Sequence, residues 1–252
     1  MPCQLGETPI YNSMKYINLI AYIPGLAGRF TQILTSLHPT TASHMNSGAS
    51  ITDVSIDRAR QYSYKDLYAQ HGTWANHHNQ FRIALTDYDV SRFLVSNYTN
   101  YTVCIHPTVF YLRKFAFPLQ SETTRQILQN KIQKENLQIR YLQMVLSEKY
   151  QPIVDEFKVR NANFPVVGYD EKILNAKFTR EYSPYVINLD NYFIGESNFH
   201  VEYTSWMNHL GIPTQDELAL ELYRDWAEAR NSTPKFGAPS RNRTGMPLSE
   251  RF

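Results

Sequence analysis

The stretch that decides the fold runs from Lys15 to Pro39, KYINLIAYIPGLAGRFTQILTSLHP. Lys15 to Ile23 is rich in Ile, Leu and Tyr with little alternation, the composition of a strand buried on both faces. Pro24-Gly25 ends it as a turn pair. From Arg29 to Leu37 the apolar residues Phe30, Ile33, Leu34 and Leu37 recur at helical spacing. His38-Pro39 closes that helix, because a proline disfavours helical geometry in the residue before it. The reading is strand, tight loop, helix.

Working outward, the same alternation continues. His78 to Leu85 and Tyr101 to Ile105 read as strands, the second ending at His106-Pro107, and Lys114 to Phe117 repeats the pattern before Pro118. A short helix is expected from Asp87, another over Ile56 to Tyr68, and a long one from Ser121 to about Tyr150, divided at Pro152. Tyr185 to Leu189 is a further strand, and Asp170-Glu171 is a helix start. Ser197 to Leu210 is a helix stopped by Gly211 with Pro213 behind it. Thr214 and Glu217 have capping-box spacing ahead of a last helix carrying Leu218, Leu222 and Trp226 on one face. Strands alternating with helices predict an α/β fold, a mainly parallel sheet flanked by helices with a C-terminal helical part. One domain over residues 15–232 is expected, between a polar lead-in (1–14) and a disordered Gly/Pro/Arg-rich tail (233–252).

Composition narrows the function classes. The chain has 252 residues, with 25 Lys+Arg against 23 Asp+Glu. So small a net charge gives no electrostatic case for a nucleic-acid partner. Two cysteines, Cys3 and Cys104, cannot build a disulfide framework and point to a reducing compartment. No apolar run has spanning length and the N-terminus has no signal-peptide pattern, so a cytoplasmic protein without a membrane partner is expected. His71, His77 and His78 lack neighbouring ligands at zinc spacing, so no metal is expected.

Parallel sheets place ligands at the carboxyl ends of their strands, which directs attention to the loop after the first one. Pro24, Gly25, Leu26, Ala27, Gly28, Arg29, Phe30 and Thr31 form a small-residue turn running into a helix. Backbone N–H groups of such a turn converge with those of the helix's first turn, and the helix dipole favours an anion there. Arg29 supplies a bidentate cation and Thr31 a hydroxyl for a phosphate. An ordinary strand-to-helix turn, with Gly25 and Gly28 serving geometry alone, satisfies the same spacing. The Walker pattern G-x-x-x-x-G-K-[ST] is absent, which disfavours a nucleotide kinase or a nucleoside triphosphatase.

The segment IAYIPGLAGRFTQILTSLHP resembles the phosphosulfate-binding start of the sulfotransferase family, a P-loop nucleoside triphosphate hydrolase-like fold. The G-L-A-G variant of its loop is similar to sulfotransferase-like proteins of marine phages. VINLDNYFIGESNFHVEYTSWMNHLGIP is similar to a later sulfotransferase segment, with Leu189-Asp190 at the strand end and Leu210-Gly211-Ile212 at the helix end. Gly25 stands where the family's loop carries Lys or Arg. The resemblance implies a nucleotide-binding transferase, viral in origin and working in the host cytoplasm. It would take 3′-phosphoadenosine 5′-phosphosulfate as donor and an unknown hydroxyl or amine as acceptor.

Sulfuryl transfer needs a base, cations against the leaving bisphosphate, and alignment of donor with acceptor. The resemblance implies His106, at a strand end in T-V-C-I-H-P, as that base, and an imidazole is the side chain suited to proton transfer near neutrality. A backbone hydrogen bond at a strand end would equally account for it. Residues 24–31 would hold the 5′-phosphosulfate, with Arg29 acting on the reacting group. Ser121 and Arg125, in KFAFPLQSETTR, would meet the 3′-phosphate, although Ser121 serves equally as a helix N-cap. Trp206, Tyr223 and Trp226 read as packing anchors, and Glu217, Glu221 and Arg224 as a solvated helix face. The rival expectation is a catalytically inactive binding or virion-associated protein on the same fold.

Overall fold

The computed structural model describes residues 14–22, 27–43, 85, 87–111, 123–152 and 171–231. Lead-in, tail, the expected helix 56–68, the expected strands 78–85 (Leu85 apart) and 114–117, and His71, His77 and His78 lie outside these residues.

Among the described residues five parallel strands form one sheet in the order β2-β3-β1-β4-β5. They are β1 (Lys15–Ala21), β2 (Thr41–Ser43), β3 (Asn100–Ile105), β4 (Leu137–Val145) and β5 (Tyr185–Asn188). β1 is central, paired from Tyr16↔Asn100 to Ala21↔Ile105 on one side and from Lys15↔Leu137 to Ala21↔Gln143 on the other. Strand geometry alternates its side chains across the sheet: Ile17, Leu19 and Ala21 enter one core, and Ile20 enters the other. Both faces are therefore apolar, as the unalternated run Lys15–Ile23 predicts. Asn18 is the polar exception, its buried amide directed at Asn100 (3.5 Å) and Thr102 (3.4 Å) on β3.

The helices divide between the two faces. α1 (Gly28–Thr35) and, after β5, α6 (Asp190–Ile194), α7 (Glu196–Leu210) and α8 (Asp216–Asn231) cover one. Its centre is aromatic, with Phe30 stacked on Trp226 at 5.1 Å and Tyr192 edge-on to both. Trp206, Tyr223 and Trp226 are buried in this core, as packing anchors should be. α2 (Asp87–Leu94), α3 (Pro107–Tyr111), α4 (Thr124–Ile132) and α5 (Glu171–Tyr182) cover the other face through Val90, Phe93, Phe110, Ile127, Leu128 and Phe178. α7 ends at Gly211, whose φ of 60° is the left-handed cap expected there. α8 begins at Asp216, whose carboxylate accepts from the Thr214 hydroxyl at 3.0 Å, and Glu217, Glu221 and Arg224 point to solvent.

One expectation fails. The long helix from Ser121 to Tyr150 is instead α4, a turn, and β4. Leu137 enters one core and Leu142 the other from strand β4, which lies between two parallel neighbours, while Val145 at its end is exposed. The spacing of Ile127, Ile132, Leu137 and Leu142 is five throughout, a period that belongs to neither helix nor strand, and β pairing over seven registered residues of β1 outweighs it. The helix also starts later than Ser121. Thr123 is the N-cap: its hydroxyl accepts from the Gln126 amide at 3.2 Å while Gln126 Oε1 accepts from the Thr123 N–H at 2.8 Å.

Candidate functional site

The strand order places a switch point beside β1. From β1 the chain crosses to β2 and returns to β3, filling one side; it then crosses to β4 and continues outward to β5 on the other. Connections leaving β1 and β4 diverge, and the crevice between their carboxyl ends is where open parallel sheets bind ligands. The first turn of α1 stands at this rim, because only six residues separate Ala21 from Gly28.

Ala27 caps α1 with φ 47° and ψ 18°, left-handed geometry in a residue with a side chain. A left-handed residue followed by helical ones turns successive N–H groups to one side, a concavity suited to anions. The Thr31 N–H is already bonded to the Ala27 carbonyl at 2.9 Å; the three amides before it have no intrahelical acceptor. Left-handed geometry costs an L-residue about 1–2 kcal/mol. Ala27→Gly is therefore expected to stabilise the fold by about 0.5–1 kcal/mol after the extra chain entropy of glycine is subtracted. A urea midpoint that falls instead would show that the Ala27 methyl, packed on the core, matters more than its backbone angle.

The other members of the loop divide. Pro24, Gly25, Leu26 and the Arg29 side chain lie outside the described residues. Phe30 and Thr31 face inward and are fully buried. The hydroxyl that the sequence reading assigns to a phosphate is shared with Tyr192 of α6, Oγ1 to OH 2.9 Å. This pair ties the first turn of α1 to the helix that follows β5. Burial raises the Tyr192 phenol well above its ordinary range, and the Thr31 hydroxyl opposes that shift. On the sheet side, the Cys104 thiol donates to the Gly28 carbonyl at 2.9 Å. The main-chain path of the first turn is thus held from two directions.

Gly28 has a specific reason to be glycine. A Cβ built there would lie 2.7 Å from Cδ2 and 2.8 Å from Cγ of Tyr22, the residue that follows β1. Tyr22 also meets His106 edge-on, ring centroids 6.3 Å apart. His106 follows β3 directly, its backbone carbonyl accepting from the Phe110 N–H at 3.1 Å and its side chain largely buried. The structure thus brings Gly28, Tyr22 and His106 together at the ends of two adjacent strands. At the ends of β4 and β5 the Ser147 N–H donates to Asp190 at 2.9 Å.

Arg125 is elsewhere. It belongs to α4, on the face opposite α1, where its guanidinium lies 3.7 Å from Glu181 and 5.8 Å from the Tyr111 ring. Tyr111 donates to the same carboxylate at 3.0 Å. Burial, joined by Glu181, raises the Tyr111 phenol. Ser121 lies outside the described residues. The cation that the sequence offers for a 3′-phosphate is thus engaged in an ion pair between α4 and α5. Tyr22, Cys104 and Tyr192 carry no local signal in the sequence, because their contacts run across strands or over 161 residues of chain.

Among the described residues no group of three or more His, Cys, Asp or Glu side chains is placed to hold a metal ion, and no helix is long and apolar enough to cross a membrane. Comparison of the chain with family models, with curated proteins and with solved structures finds no match in any of the three.

Proposed function

We propose that this chain is a sulfotransferase-like protein that binds a phosphosulfate nucleotide at the first turn of α1. The observation that carries the reading is the left-handed Ala27 opening a helix directly behind the central strand, beside the switch point of a parallel sheet. In the reaction this site would serve, His106 takes the proton of an acceptor hydroxyl or amine as that atom bonds to sulfur. The bond from sulfur to the 5′-phosphate oxygen breaks, and adenosine 3′,5′-bisphosphate leaves with the electron pair. First-turn amides and Arg29 would steady the developing charge. Arg125 has no part in this scheme, since it sits on the other face of the sheet.

The test is calorimetry with adenosine 3′,5′-bisphosphate. Wild type is expected to bind and Arg29→Ala to lose detectable binding; equal affinity in the two proteins would reject the loop as the nucleotide site. A second reading, a catalytically inactive binding or virion-associated protein, draws on the Thr31 hydroxyl being taken by Tyr192 and on the loop having no lysine. Thermal melts with the bisphosphate, ATP and GTP separate the two, because a ligand of the native state raises the midpoint by mass action. No shift with any of them favours the second reading.

A further inference from the structure

We propose that Tyr22 is a positioning residue that sets the His106 imidazole against the first turn of α1. The geometry is that of a wedge. One side of the ring occupies the space a side chain at residue 28 would need, its Cδ2 and Cγ 2.7 and 2.8 Å from the absent Cβ. Another side meets the imidazole at an interplanar angle of 86°. The ring's own backbone is fixed, since the Tyr22 N–H donates to the Ile105 carbonyl at 3.2 Å, one residue before His106. Cys104, one residue earlier still, holds the Gly28 carbonyl. Strand β3 therefore grips both the wedge and the turn it wedges against. A closed circuit of contacts results, Gly28 to Tyr22 to His106 and back through Cys104. Packed interiors transmit displacements because they have no slack to absorb them.

The functional meaning of this circuit rests on the proposed role of the rim; its geometry does not, and the experiment keeps the two apart. The readout is the His106 ring resonance in carbon-labelled protein without nucleotide, assigned by its loss in His106→Gln. Tyr22→Phe keeps the ring and is expected to leave the resonance in place. Tyr22→Leu removes the aromatic edge and is expected to move it. Gly28→Ala, which drives a methyl into the ring, is expected to move it as well, although residue 28 is on a different element. Adding Tyr22→Ala to Gly28→Ala makes room for the methyl, so the double variant is expected to recover stability that Gly28→Ala loses, the non-additivity of residues in contact. An unmoved His106 resonance in both Tyr22→Leu and Gly28→Ala overturns the proposal, and Tyr22→Leu alone decides it if Gly28→Ala does not fold. The bisphosphate is then titrated into the same proteins. If wild type binds, Tyr22→Leu is expected to bind roughly tenfold more weakly and Tyr22→Phe equally well. If wild type does not bind while the resonance moves as described, the nucleotide assignment fails and the positioning by Tyr22 stands.

Discussion

Replacing Phe30 by Ala is expected to remove about 3–5 kcal/mol of stability, the range for a large aromatic truncated in a packed core. The side chain is fully buried and lies flat on Trp226, 5.1 Å away and 4° from parallel, with Phe199 stacked at 5.9 Å and Tyr192 edge-on at 6.1 Å. Its neighbours come from α6, α7 and α8, so the cavity opens at the meeting of four helices, and stacked rings collapse into a void poorly. The position gives the loss a second consequence. Phe30 belongs to the first turn of α1, next to the Thr31–Tyr192 bond, so the variant loosens the same amides that are proposed to receive the anion. The check is a urea midpoint, set against Val95→Ala, whose side chain is 86% exposed and whose replacement is expected to change stability by no more than about 0.5 kcal/mol. A Phe30→Ala loss no larger than that of Val95→Ala would mean that α1 is not seated on this aromatic core.

How far the fold was legible follows from the kind of signal each element carries. β1, β3 and β5 are readable because each is a short β-rich run, the first two closed by Pro24-Gly25 and His106-Pro107, and α7 because Gly211 and Pro213 mark its stop. β4 is not. Its sequence, LQIRYLQMV, mixes charged and apolar residues, and what makes it a strand is the ladder to β1 and β5, a non-local gain that intrinsic propensity does not contain. The site divides in the same way. A turn of small residues after a buried strand announces a helix N-terminus at the rim, and the α1 start at Gly28 agrees. Which side chains face that turn was hidden. Thr31 stands in a motif where its hydroxyl can meet a phosphate, yet it is buried against a tyrosine 161 residues further along the chain. Gly28 reads as one small residue of the turn, and what requires it to be small is Tyr22, which fills the space beside it. Both substitutions of partner come from tertiary packing, the one ingredient that spacing along a single chain cannot supply.

Raising the pH is expected to unfold the protein cooperatively within about two units above pH 10, because folding keeps several phenols out of water and un-ionised. Burial is the first cause in every case. Tyr203 is pushed up to about 12, with the Asp216 carboxylate adding to burial and a hydrogen bond from the Gln215 amide opposing it. Tyr101 and Tyr192 are raised well above the ordinary value; Asp89 adds to the first, and Glu202 and Cys104 to the second. The sign follows from linkage. A group whose pKa is higher in the native state contributes stability that is intact below its unfolded pKa, about 10 for a phenol, and is lost as pH climbs toward the native value. Between pH 10 and 12 Tyr203 alone accounts for a loss of about 2 kcal/mol, the slope staying below about 1.4 kcal/mol per unit near each end of the interval. Tyr101 and Tyr192 lose in the same direction over that interval, and a domain holds only about 5–15 kcal/mol in all. Tyrosinate absorbance should therefore rise in two stages: a gradual one from exposed rings, then a steep one coincident with the loss of far-ultraviolet ellipticity. Tyr203→Phe sharpens the test. It gives up the bond from the Gln215 amide, 3.0 Å long, at a cost of about 1 kcal/mol near neutrality, yet it removes one ionising phenol and should lose less stability between neutral and alkaline pH than wild type does. A single smooth titration centred near the ordinary phenol value, with ellipticity unchanged throughout, would mean that these rings are open to water in the folded chain.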